Sequence, residues 1–130
     1  MNLLVRQVRI IDPNSPHNGQ VLDIHIENGV LKTIDSAINI DNIEIFNAKG
    51  ACVSPGWMDV GVQACDPGLE HREDLLSAAQ AAAFGGFTAI AVQPNTDPVL
   101  ASKSEILYIK KNTQDFIVDF HPIGAVSEGC

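Results

Sequence analysis

Basic residues are scarce in this 130-residue chain: eight Lys and Arg stand against sixteen Asp and Glu, for a net charge of −8. That balance disfavours nucleic acid and anionic membrane surfaces as partners, because both are gripped through clustered cations. The one adjacent basic pair, Lys110–Lys111, reads as a solvated helix end, where cations suit the helix C-terminus. Cysteine is scarce too. Cys52, Cys65 and Cys130 form no CxxC spacing; so odd and sparse a set argues against a disulfide framework or a zinc ribbon and fits a reducing compartment. Cys52 is expected as a small buried apolar residue. No apolar run approaches the ~20 residues of a membrane span. The opening MNLLVRQVRIID alternates like a strand and lacks the layout of a signal peptide, so a cytoplasmic protein is expected. HExxH, a nucleophile elbow, a P-loop and GxGxxG are all missing, as are internal repeats and low-complexity segments.

What is present changes character near residue 50. Before it, short β-type runs dominate: 3–11, 21–27, 30–34 and 43–47. Alternation in DIHIE and the Asn28–Gly29 pair predict a hairpin with a type I′ turn, and DPNSPHNG (12–19) is turn chemistry throughout. After residue 50 the pattern is βαβαβ. MDVGVQA (58–64) is strand-like. A helix follows over EDLLSAAQAAAF, with Leu75, Ala79, Ala82 and Ala83 at helical spacing and Gly85–Gly86 as its C-terminal signal. FTAIAVQ (87–93) reads as a strand covered on both faces. Ser102 and Glu105 form a capping box opening a helix to about Asn112, and 116–126 holds the third strand and its exit. The fold class is therefore α/β: a β-rich leader (1–52) followed by a parallel βαβαβ unit (53–130).

Strict alternation along the first of these strands puts Asp59, Gly61, Gln63 and Cys65 on one face and Val60, Val62 and Ala64 on the other. Side chains two apart lie ~6.5–7 Å apart along a strand, close enough for two imidazoles to converge on one ion. Of the four histidines, His17 sits in the turn-rich loop, His25 in a leader strand and His71 at a helix start, while His121 ends the third strand with no partner histidine. None of them is assigned as a ligand.

The run from Pro55 to Val99 resembles the start of a dihydroorotase of the amidohydrolase superfamily. The resemblance is carried by Pro55–Gly56, Asp59, Asp66–Pro67–Gly68, Glu70–His71–Arg72–Glu73–Asp74, Gly85–Gly86–Phe87–Thr88 and Pro94–Asn95–Thr96. HPIGAV (121–126) and the leader hairpin IENGVLKTI are similar to family segments as well, so the likeness runs through essentially the whole chain. It implies a composite β-sandwich segment (1–52) and the first three strands of a (β/α)8 TIM-type barrel (53–130), incomplete here because a closed barrel needs ~250 residues. The chain is accordingly expected to be a fragment of a protein about three times as long.

The family's activity would be zinc-dependent interconversion of N-carbamoyl-L-aspartate and dihydroorotate in pyrimidine synthesis. Its first strand ends in His-x-His-x-Arg, two metal ligands and a carboxylate-binding arginine; here those positions read Gly61, Gln63 and Cys65. Glycine offers no donor, a neutral amide is a poor zinc ligand, and a thiol does not replace the arginine fork. No catalytic residue, no metal ligand and no cofactor are therefore expected in this chain, although the family would use zinc. Asn95 matches the family's substrate-binding asparagine, beside the plainer reading of Asn-Thr-Asp-Pro as loop sequence. Asp66 is a loop-turning or site-shaping residue, and Asp59 is structural. The resemblance implies a non-catalytic homologue, with aspartate transcarbamoylase or self-association as partners. The alternative is an active cyclic-amide hydrolase that takes its ligands from outside this chain.

Overall fold

The computed structural model describes residues 1–127, which fall into two compact units, Met1–Pro55 and the residues from Gly56 on. Cys130 lies outside the described residues. No helix among the described residues is long and apolar enough to cross a membrane.

In the first unit, β1 (Leu3–Ile10), β2 (Val21–Glu27), β3 (Val30–Asp35), β4 (Glu44–Asn47) and β5 (Cys52–Val53) form one sheet. Its order is β3-β2-β1-β4, with β5 also on β1; the first three strands are antiparallel neighbours, and β4 and β5 run parallel to β1. The β2–β3 hairpin turns at Asn28 (φ 54) and Gly29 (φ 79), the two positive angles a type I′ turn demands. The 12–19 loop closes on itself, Asn14 N–H donating to Asp12 Oδ1 at 3.0 Å and Asp12 N–H to Asn18 Oδ1 at 2.9 Å. Val8, Ile10, Ile24 and Ala48 make the core of this unit.

One device here has no signature in the pattern of residues. The β1–β2 register slips between Val5 and Val8, and Gln7 takes φ 54. The buried Asp23 carboxylate accepts the Gln7 N–H at 3.0 Å and the Ile38 N–H at 3.2 Å, joining the bulge to the segment after β3. Cys52, expected buried, is exposed: β5 is a two-residue strand with both side chains at the surface.

The second unit holds β6 (Trp57–Val62), α1 (Leu75–Phe84), β7 (Phe87–Val92), α2 (Lys103–Asn112) and β8 (Asp119–Pro122), with the strands parallel in the order β6-β7-β8. Both helices begin at capping boxes, Asp74 with Ser77 and Ser102 with Glu105, which satisfy backbone donors that a helix start leaves unpaired. At the end of α1, Gly85 stays right-handed and Gly86 takes φ 83. The core joins Leu75, Ala78 and Ala79 of α1, Ile109 of α2, and Ile90, Val92, Val118 and Phe120 of the sheet, with Ala64 and Leu100 from the connecting loops. Ile90, Leu100 and Ile109 are 0% exposed; burying each stabilises by ~1.5–3 kcal/mol.

Two expectations are corrected here. Ala78 packs where Ala83 was expected, and Ala83 is exposed, because Leu75, Ala78, Ala79 and Ala82 line the face turned to the sheet. The third strand is four residues long, since Phe116 turns back to Thr113 and Ile117 is 86% exposed before the strand starts. On the face of this sheet away from the core lie the rows Met58–Ala89–Asp119 and Val60–Ala91–His121, where Met58 and Val60 of β6 are 49% and 72% exposed while Ala91 of β7 is buried.

Candidate functional site

The C-terminal ends of β6 and β7 lead into two loops, 63–74 and 93–102, that carry most of the motif residues. β6 stops at Val62, short of Gln63 and Cys65. Asp59 pairs with Ile90 and Val60 with Ala91, but the next pair is Val62 with Val92, so Gly61 is the extra residue of a bulge and takes φ 114. The single-face arrangement of Asp59, Gly61, Gln63 and Cys65 is thereby overturned, because a bulge resets the period of two. Val62 instead packs toward the core while Val60 is exposed. A Cβ on Gly61 would stand 3.3 Å from Gln93 Nε2, and the Gln93 N–H donates to Val62 O at 2.9 Å.

Beyond the strand, Gln63 is exposed and Cys65 is 3% exposed at φ 58, its carbonyl accepting the Leu69 N–H at 2.9 Å. The Asp66–Pro67–Gly68 turn and the Pro94–Asn95–Thr96–Asp97–Pro98 loop lock together. Asp97 N–H donates to Pro67 O at 3.0 Å, and a Cβ on Gly68 would lie 1.9 Å from Asp97 O. A second pair of motifs meets similarly: a Cβ on Gly56 would fall 2.1 Å from Thr88 Oγ1. Small residues stand at both positions because the neighbouring chain leaves no room for more.

Side chains finish the loops. Asp66 accepts the Tyr108 hydroxyl at 2.9 Å, tying the first loop to α2, and this bond raises the Tyr108 pKa above its ordinary value, with desolvation adding to it. Glu70 accepts the Gly68 N–H at 2.7 Å, and that bond holds its carboxyl below the usual range. The Ser77 backbone N–H does the same for Asp74. A shallow groove lined by Asp66, Asp74, Leu75, Tyr108 and Phe116 thus contains carboxylates that already have partners.

Asn95 follows β7 in the second loop and is half-buried; its Oδ1 is buried with no hydrogen-bond partner. Around it the loop is satisfied: Thr96 Oγ1 donates to Pro98 O at 2.7 Å and Leu100 N–H to Pro94 O at 3.2 Å. A buried carbonyl oxygen without a donor costs ~1–3 kcal/mol, so Asn95 holds an acceptor in reserve that the loop itself does not use. His121 is exposed on β8, and His71 is exposed in the first loop.

Do these residues fit zinc? A zinc ion wants three or four N, O or S donors at ~2.0–2.3 Å. No three His, Cys, Asp or Glu side chains among the described residues are placed to share an ion. The strand end offers a glycine, an exposed amide and one buried thiol, which is not such a set.

No protein-family model matches this chain. Curated proteins do. The dihydroorotase of Acetivibrio thermocellus is 41% identical over 128 residues, covering 98% of this chain and 30% of the relative. The dihydroorotase of Geobacter sulfurreducens is 39% identical, covering 99% and 31%. Among solved structures, the L-hydantoinase (dihydropyrimidinase) of Arthrobacter aurescens superposes with a TM-score of 0.80 at 26% identity, over 98% of this chain and 28% of that one. Over nearly its whole length the chain is therefore similar to dihydroorotases, and it spans about three tenths of the curated relatives it matches.

Proposed function

We propose that this chain is part of a dihydroorotase-like protein of pyrimidine biosynthesis that has lost its catalytic metal site and does not itself turn over substrate. One observation carries the reading. At the three positions where the family builds its site, this strand end presents Gly61, Gln63 and Cys65, which offer at most one donor suited to zinc. Meanwhile the residues that hold the loops together, Gly56 against Thr88 and Gly68 against Asp97, are kept. The frame is retained and the chemistry removed.

In this reading the β6–β7–β8 sheet with α1 and α2 is the opening of a TIM-type barrel, and the leader is one part of a sandwich. The parallel order and the helices on one face support the first, the hairpin-based sheet the second. The chain belongs to a longer cytoplasmic protein. Its open sheet face and free strand edges suit association, with itself or with aspartate transcarbamoylase, since unpaired edges invite pairing. Asn95 contributes its free carbonyl oxygen to whatever the site holds.

The second reading, an active zinc-dependent cyclic-amide hydrolase with ligands from elsewhere in a longer chain, is favoured by the 41% identity to a dihydroorotase. Zinc analysis and dihydroorotate turnover of the purified full-length protein separate the two. The non-catalytic reading expects no stoichiometric zinc and no ring opening. One zinc per chain with measurable turnover would overturn it.

A further inference from the structure

We infer that the metal pair is erased in the backbone of β6 as well as in its side chains, so that returning histidines to residues 61 and 63 does not rebuild it. The inference rests on the family assignment of those two positions and deepens it. In a regular strand, residues two apart share a face, and their imidazoles can bring two nitrogens to the ~3.3 Å separation implied by tetrahedral bonds of ~2.0–2.1 Å.

Here the strand is not regular at that place. Gly61 is skipped by the pairing with β7, its φ of 114 is one that L side chains rarely adopt, and a side chain there would start 3.3 Å from Gln93 Nε2. A side chain at residue 61 would therefore start from a backbone angle that L residues rarely adopt, with the Gln93 amide beside it. The carboxamide belongs to the residue whose N–H bonds Val62 O, so bulge and amide are positioned by the same stretch of β7. A bulge of this kind at a strand end re-aims the side chains beyond it. The loss of the pair is therefore built into the chain path, with Gly61 permitting the path and Gln93 filling the space beside it.

The test uses the intact protein with Gly61→His, Gln63→His, the double variant, and Gly61→Ala, each with and without Gln93→Ala. Thermal midpoints are measured by circular dichroism, and zinc uptake by competition with a chromogenic chelator. Gln63→His, at an exposed position, should leave the midpoint within a degree or two. Gly61→Ala and Gly61→His should lower it by about 2–8 °C, with at most partial recovery from Gln93→Ala, and the double variant should take up no stoichiometric zinc. A Gly61→Ala midpoint equal to the parent's, full recovery through Gln93→Ala, or one tightly bound zinc in the double variant would each overturn the inference. If the parent itself carries zinc, the non-catalytic reading falls, while the order of the Gly61 and Gln63 midpoints still tests the bulge. Gly61→Ala keeps the test decisive if the histidine variant does not fold.

Discussion

Replacing Gly68 by alanine adds a single methyl group at the tightest point between the two motif loops. The residue has φ 92, and the new Cβ would lie 1.9 Å from Asp97 O, far inside the ~3.3–3.6 Å of an ordinary C–H···O contact. Two costs arise. A left-handed conformation costs an L residue ~1–2 kcal/mol. Overpacking that must push backbone aside costs ~1–3 kcal/mol. If the loops part to relieve it, the Asp97 N–H to Pro67 O bond goes as well, for about another 1 kcal/mol. The expected destabilisation is roughly 2–5 kcal/mol. Gly86→Ala serves as the control: Gly86 has φ 83 but nothing within 4 Å of its added Cβ, so only the conformational cost of about 1–2 kcal/mol applies. Urea denaturation of parent and both variants, monitored by circular dichroism, measures the difference. Gly68→Ala losing no more than Gly86→Ala would show that the loops are not locked at this contact, and the structural account of the retained motifs would fail with it.

Asp23→Ala leaves the Gln7 and Ile38 N–H groups without their acceptor and should cost about 1–3 kcal/mol, with Asp23→Asn less damaging in the same urea titration. Tyr108→Phe removes the bond to Asp66. Because Tyr108 is raised in the folded state, its contribution is complete below the ordinary tyrosine value of about 10. It fades as alkaline pH passes through the raised value, so the urea midpoints of parent and Tyr108→Phe should converge there. Asp74 and Glu105 are lowered by their cap bonds. Their contributions are present above the ordinary carboxylate range and disappear as acid passes through the lowered values, which should appear as loss of helical signal below pH ~4. Added zinc should not raise the thermal midpoint of the parent, whereas a site holding the ion at a hundredfold its Kd would add about 2.7 kcal/mol.

Much of this molecule was legible from local chemistry. Asn28–Gly29 demanded a type I′ turn because both residues tolerate positive φ, and Ser102 with Glu105 marked a helix start because their side chains can meet orphan backbone donors. The scarcity of metal donors at residues 61, 63 and 65 was legible for the same reason: a side chain's donor chemistry is a property of the residue alone.

Only tertiary structure decided the rest. The bulge at Gly61 exists through pairing with β7, and β6 stops at Val62, so period-two reasoning that put Asp59, Gly61, Gln63 and Cys65 on one face of a continuous strand does not hold. The exposure of Cys52, the burial of Ala78 over Ala83 and the Asp23 bridge to Ile38 depend on which neighbour arrives, which composition does not specify. The closeness of Gly68 to Asp97 joins residues 29 positions apart. Sequence determined which groups could bond and which backbone angles each residue could take; long-range packing determined which of those options were used, because a contact's energy exists only once both partners have been brought together.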